Sequence, residues 1–316
     1  MPANLANPPL VAAAAAGLAA ALAAWGLMRV RGSTAVPAAA WSVAACLALA
    51  FEMVARSAGG LADPATAAAA RLAVVSLSLC PAMSLLGAKR PQHGVWQFIV
   101  ATLAFVLVLP AVSARLVRPG SLPDIHLIER GFMPVLVFVG WLNFAGTRRA
   151  VAATCVAIGQ VLLMRGFLPG ASIEMTTAGG LDVLTAGLFA CGAAVAATQA
   201  VMAGHRDGRA TAAAARSPLA AAVDPPFLAL RETLGAAWAL RLAEGFDALA
   251  SKRGWPCRLG FGGMEEDVAD DVAWHRDALQ AFRSLARRFV DDDWLVRHGW
   301  PTASDGDRPQ SVHPTP

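Results

Sequence analysis

The sequence predicts an all-α integral membrane protein, with about seven transmembrane helices followed by a small, mainly helical C-terminal cytoplasmic domain. Three observations carry this prediction. Charged residues make up only 15% of the chain and hydrophobic ones 56%, whereas a soluble domain carries about 25% charge. Uncharged apolar runs bounded by basic residues recur throughout residues 1–204. The charge balance then inverts: residues 1–204 hold 12 Lys and Arg against 6 Asp and Glu, and residues 205–316 hold 14 against 16.

The clearest run is 95–114. It follows a basic, turn-forming cluster (Lys89, Arg90, Pro91, His93) and ends at Arg115 and Arg118. Twenty residues rising about 1.5 Å each reach across a hydrocarbon core of roughly 30 Å. The same grammar marks spans at about 9–28, 36–55, 68–86, 132–147, 150–164 and 179–203.

The first run has no basic residue ahead of it and Arg29 and Arg31 behind it, the reverse of a secretory leader. It reads as an uncleaved span with its N-terminus outside, a cleaved or peripheral segment being the alternative for so Ala-rich a stretch. In the second run Glu52 and Arg56 sit four apart, spaced to pair at the interface. The third contains Pro81 and the fourth Pro110; each removes one helical hydrogen bond. The fifth and sixth are short and joined by Arg148-Arg149, which fits two crossings linked by a tight turn, or re-entrant segments. Asn143 and Gln160 lie in these two runs, placed for interhelical hydrogen bonds. In the seventh, Gly187, Cys191 and Ala194 form a face of small residues, and Asp182 stands near its start.

Between the fourth and fifth runs, residues 115–131 read as the longest loop of this half. It holds Asp124, His126, Glu129 and Arg130, the one polar cluster there varied enough for chemistry. Short charged loops are ordinarily just solvated.

Residues 205–223 read as a flexible linker and 224–300 as a small cytoplasmic α or α+β domain. Asp224-Pro225-Pro226 has the form of a helix start. A helix from there to about Ser251 carries an apolar stripe that includes Trp238 and Phe246, candidates for a docking face. Residues 257–261 suit a short extended segment before Gly262-Gly263. A second helix is expected over 265–290, its first turns acidic and its last basic, in keeping with the helix dipole. Asp271 and His275, four apart, could share a metal but have no third ligand. Asp291 to Asp293 suit the cap of a last short helix, and 301–316 has a disordered composition. Docking of this domain on the inner membrane surface, or on the loops at Lys89-Arg90 and Arg148-Arg149 with its acidic helix facing their arginines, is the expected arrangement.

Basic residues number nine on the side that Arg29, Lys89 and Arg148 would share, and six on the other. That bias predicts a multi-pass inner-membrane protein with its N-terminus outside and its C-terminus cytoplasmic. The surplus arginines flank apolar runs, so the basic pI indicates orientation and not nucleic acid. The five cysteines lack zinc or redox spacing, and neither a cofactor nor a metal signature is present in the sequence.

The stretch GAKRPQHGVWQFIVATLAFVLVLP at residues 87–110, with GWLNFAGTR at 140–148, resembles uncharacterised bacterial polytopic membrane proteins. The resemblance implies an inner-membrane family member and no activity. Rhodopsin-like proteins bind retinal through a lysine in the last span, and 179–203 contains none. Three functions follow from these readings. The first is a scaffold or sensor presenting the C-terminal domain to a cytoplasmic protein or a second copy. The second is a transporter or channel for a neutral or lipid-like substrate, and the third an enzyme using the 124–130 loop. The lipid bilayer is the one partner common to all three.

Overall fold

A computed structural model describes residues 7–87, 89, 93–170, 179–210, 217–266 and 274–301. Its first part is a helix bundle: α1 (Pro8–Arg29), α2 (Val36–Ser57), α3 (Pro64–Leu86), α4 (His93–Val117), α5 (Leu127–Ala145), α6 (Ala150–Leu163) and α7 (Gly179–Ala210). Six of these, all but α6, are long and apolar enough to cross a membrane. α6, with 14 residues, is about 21 Å long and falls short of a hydrocarbon core alone.

α3 is the central helix, packed against α2, α4, α5 and α6, while α1 joins α2 to α7 and α6 lies along α7. Six helices therefore form a ring, and α4 packs on its outside against α3. Most buried hydrophobic residues of the bundle are small or aliphatic, Phe167 being an aromatic exception, whereas Phe51, Phe98, Phe105 and Phe138 point outward. Outward aromatics suit a protein whose surroundings are lipid, since apolar side chains gain nothing there by turning inward. α3 starts with Asp63 accepting a hydrogen bond from the Thr66 N–H at 2.9 Å, ahead of Pro64 in the first turn. α6 and α7 approach closely at Gly192, where an added Cβ would lie 2.9 Å from Val156 Cγ2. The close face is thus at Gly192 and not at the expected Gly187, which has nothing within 4 Å.

The second part has its own hydrophobic cluster, built from α8 (Pro218–Leu234), α9 (Ala236–Arg253), a hairpin of β1 (Cys257–Gly260) and β2 (Gly263–Glu266), α10 (His275–Ala286) and α11 (Asp292–Arg297). The strands pair antiparallel, with Leu259 opposite Met264.

Several boundaries differ from the sequence reading. α7 runs on to Ala210 and α8 begins at Pro218, so most of the expected 205–223 linker is helical; 211–216 lie outside the described residues. The charges after Met202 mark where hydrocarbon would end, which does not require the helix to end. α8 passes through Pro225 and Pro226, because its start is Ser217, whose hydroxyl accepts from the Ala220 N–H at 3.0 Å, with Pro218 in the first turn. Asp224 is engaged elsewhere, accepting from the Met264 N–H at 2.6 Å. The expected 265–290 helix starts only at His275, because Glu265 and Glu266 belong to β2. Asp271 and the tail from 302 lie outside the described residues. Asp291 caps α11 by accepting from the Trp294 N–H at 2.8 Å.

The second part docks on one end of the bundle. The turn between α1 and α2 supplies part of the contact: Asp291 N–H donates to Gly32 O at 2.8 Å and Thr34 N–H to Phe289 O at 2.8 Å. Gly32 has φ +87°, and an added Cβ would stand 2.5 Å from Asp291 Oδ1. Arg297 also donates to Arg31 O at 2.6 Å. Pairing of an acidic helix with loop arginines is not what holds this contact among the described residues; backbone groups do most of it.

Candidate functional site

At the end of the bundle away from the C-terminal part, five charged side chains meet. Arg71 on α3 sends Nε to both oxygens of Glu52 on α2, at 2.8 and 3.0 Å, and Nη1 to Asp182 Oδ1 on α7 at 3.1 Å. Arg56 joins Glu52 at 2.9 Å, and Arg165, just after α6, lies 3.4 Å from Asp182. Arg71 and Glu52 are each 2% exposed. Both carboxylates are already shared among guanidiniums, so neither is free to act as a general base. The group is a clamp on three helices and the end of a fourth. Such buried pairs fix register more than they add stability.

The 124–130 cluster is divided between a loop and the start of a helix. α4 reaches Val117 and α5 starts at Leu127, so Glu129 and Arg130 sit in the first helical turn and not in a loop, an acid there being favoured by the helix dipole. Arg130 Nε donates to Ile125 O at 3.1 Å. Asp124 and His126 are exposed, and Glu129 Oε2 is buried without a hydrogen-bond partner. Among the described residues no group of three or more His, Cys, Asp or Glu could hold a metal.

Inside the ring lies a cavity of about 430 Å³. That is within the usual range for small-molecule sites, roughly 300–1,000 Å³. It extends from Leu49, Val74 and Leu163 in the middle of the bundle to Glu232, Trp238 and Arg241 of the C-terminal part. Its deep wall is made of Ala, Leu and Val side chains from α1, α2, α3, α6 and α7. The polar groups there are spent within the protein. Gln160 Nε2 donates to Ser78 O at 2.6 Å in the turn before Pro81, Ser78 Oγ to Val75 O at 2.7 Å, and Ser42 Oγ to Ala38 O at 2.9 Å. Gln160 thus ties α6 to α3.

The end of the cavity at the C-terminal part is different. Arg29 stacks over the Trp25 ring at 4.7 Å and Arg241 over Trp238 at 4.9 Å. Arg149, in the turn before α6, lines the same wall. Burial pushes its guanidinium pKa down from the ordinary value, and the negative charge of Glu232 acts in the opposite direction. Glu232 Oε1 is 2.9 Å from Arg231 Nη2, while its Oε2 is buried without a hydrogen bond.

Two side chains join this end to the bundle. Asn143 Nδ2 donates to Leu234 O at 2.9 Å and Asn143 Oδ1 accepts from the Ala237 N–H at 3.1 Å, bridging the break between α8 and α9. Trp238 Nε1 donates to Leu85 O, the last turn of α3, at 2.7 Å, with its ring 5.2 Å from Phe289. Phe246, by contrast, is fully buried inside the C-terminal cluster, beside Trp255, and takes no part in that contact. The sequence reading places Asn143 and Gln160 together as interhelical contacts; the structure puts Gln160 between membrane helices and Asn143 at the junction. The roles of Arg149, Glu232 and Arg241 had no signal beyond a basic pair in a turn and charges on an amphipathic helix.

No protein-family model, curated protein or solved structure matches this chain.

Proposed function

We propose that this multi-pass membrane protein is a sensor: its bundle takes up an amphiphilic ligand, and the docked C-terminal part responds to occupancy. The observation that carries this reading is a shared wall. Leu22, Leu49 and Gln160 of the bundle and Thr233, Trp238 and Arg241 of the C-terminal part line one cavity. A ligand filling it touches both parts, so binding and docking are thermodynamically linked.

The test is hydrogen exchange on the detergent-purified full chain, with and without a photo-crosslinkable single-chain amphiphile. Labelling of α1, α2 and α6 together with slowed exchange over 231–241 is the expected result. Labelling confined to the outer face of α4, or labelling with unchanged exchange over 231–241, overturns the reading.

Seven crossings, N-terminus outside and C-terminus cytoplasmic in an inner membrane, are part of the proposal. In support, α6 starts beside Arg149 at the C-terminal part and ends beside Arg165, which meets Asp182 at the opposite end. Reporter fusions at Ala58 and Leu122 are expected to report outside, and one at Pro301 inside. An outside signal at Pro301 would remove the cytoplasmic assignment. The Glu52–Arg71–Asp182 clamp ties α2, α3 and α7 together at that end, which favours a sensor over a transporter. Asp124 and His126 are exposed and Glu129 and Arg130 begin α5, an arrangement that lends the enzyme reading no support.

A further inference from the structure

We propose that the ligand of this cavity is a single-chain amphiphile with a phosphate headgroup that also carries a hydroxyl. The inference rests on the sensor reading above and adds the chemistry of the ligand. It begins with what the cavity leaves unsatisfied. In the deep part the donors of Ser42, Ser78 and Gln160 are all bonded to backbone carbonyls. That region therefore offers a ligand a predominantly apolar wall, which suits an alkyl chain and disfavours a polar solute.

At the other end the position is reversed. The guanidinium of Arg149, a half-buried residue, has neither a hydrogen bond nor an ion pair among the described residues. Arg29 and Arg241 line the same end, and each is held against a tryptophan ring with no carboxylate partner among the described residues. Stacking on tryptophan fixes a guanidinium's plane while leaving its N–H edge free. Three arginines thus line one end of an apolar cavity, Arg149 half-buried and Arg29 and Arg241 exposed, and Glu232 is the one carboxylate residue among the described lining. Its Oε1 is taken by Arg231, so it cannot neutralise all three.

An anion bound there would gain charge-assisted hydrogen bonds from a partly desolvated arginine, the strongest polar contacts available to a ligand. Phosphate matches the forked geometry of guanidinium. Glu232 Oε2 is the second unsatisfied group, buried and able only to accept. A headgroup hydroxyl donating to it would complete the site. A bare carboxylate headgroup, as in a fatty acid, would leave it unmade.

The experiment uses the full-length protein in a neutral detergent and competition binding against a fluorescent single-chain probe. Three competitors of equal chain length or headgroup discriminate: a lysophosphatidylglycerol, a monoacylglycerol, and inorganic phosphate. The lysophosphatidylglycerol is expected to compete about tenfold or more better than the monoacylglycerol, and inorganic phosphate not to compete. Arg149→Gln is expected to erase that preference. Should Arg149→Gln fail to fold, Arg241→Gln, at an exposed position, is expected to reduce the preference several-fold. Equal competition by the charged and neutral lipids overturns the headgroup assignment and leaves the sensor reading standing. Failure of every lipid to compete overturns both. Full competition by inorganic phosphate would mean that the arginines serve a free anion, and the amphiphile assignment falls.

Discussion

Arg71→Met is expected to be the most damaging single substitution in the bundle. It removes the one cation that touches both Glu52 and Asp182, and leaves two carboxylates among α2, α3 and α7. Taking one partner from a buried ion pair costs about 3–5 kcal/mol, because the remaining charge stays desolvated. Arg56 and Arg165 still reach the two acids, at 2.9 and 3.4 Å, which keeps the loss from being larger. Arg56→Met is the control. It leaves Glu52 doubly bonded to Arg71, and should cost only about 1–2 kcal/mol. Thermal unfolding followed by circular dichroism in detergent measures both. The combination of Arg71→Met with Glu52→Gln and Asp182→Asn removes the charges together, and is expected to regain most of the stability. Wild-type melting of Arg71→Met alone would show that the clamp is not structural.

That clamp also marks the limit of what the sequence makes legible. Glu52 and Arg56 can be paired on sight, since residues four apart share a helix face. Arg71 and Asp182 are 111 positions apart, and each stands near the start of an apolar run. A charge at a run's edge is ordinarily read as interfacial, so nothing local distinguishes these from solvated residues. Hydropathy places the long spans for the opposite reason: it depends only on the composition of a window. The short α6 is read as a crossing from the arginines that bound it, since its 14 residues satisfy no length criterion.

Helix starts in the C-terminal part fail differently. Asp224-Pro225-Pro226 and Ser217-Pro218 carry the same signature, an oxygen acceptor followed by proline, and the chain uses the earlier one. What decides is tertiary: Asp224 is wanted at the hairpin, on the Met264 N–H. Likewise Glu265 and Glu266 look like a helical first turn, but pairing with Arg258 and Cys257 makes them a strand. The candidate site was hardest to see, since its arginines come from α1, the α5–α6 turn and α9, and only the closed ring brings them together.

Gly235→Ala is expected to release the C-terminal part from the bundle, with an effect second only to that of Arg71. Gly235 sits at φ 88° and ψ 179°, a conformation essentially restricted to glycine. An added Cβ would fall on the side-chain amide of Asn143, the group that bridges Leu234 O and the Ala237 N–H. Backbone strain of about 1–3 kcal/mol and the loss of one or two hydrogen bonds at about 0.5–1.5 kcal/mol each together give a cost of about 1.5–6 kcal/mol. Asn143→Leu removes the bonds without the strain and should cost less, about 1–3 kcal/mol. Hydrogen exchange separates the two effects from global unfolding: amides of α9 and the last turn of α3 should exchange faster in Gly235→Ala, while those around Arg71 keep their protection. Trp238 makes the link, because its indole holds Leu85 O and its ring walls the cavity. If α9 stays protected in Gly235→Ala, the break between α8 and α9 is not what holds the C-terminal part over the cavity. The turn at Gly32, where Asp291 closes on the backbone, would then carry the docking alone.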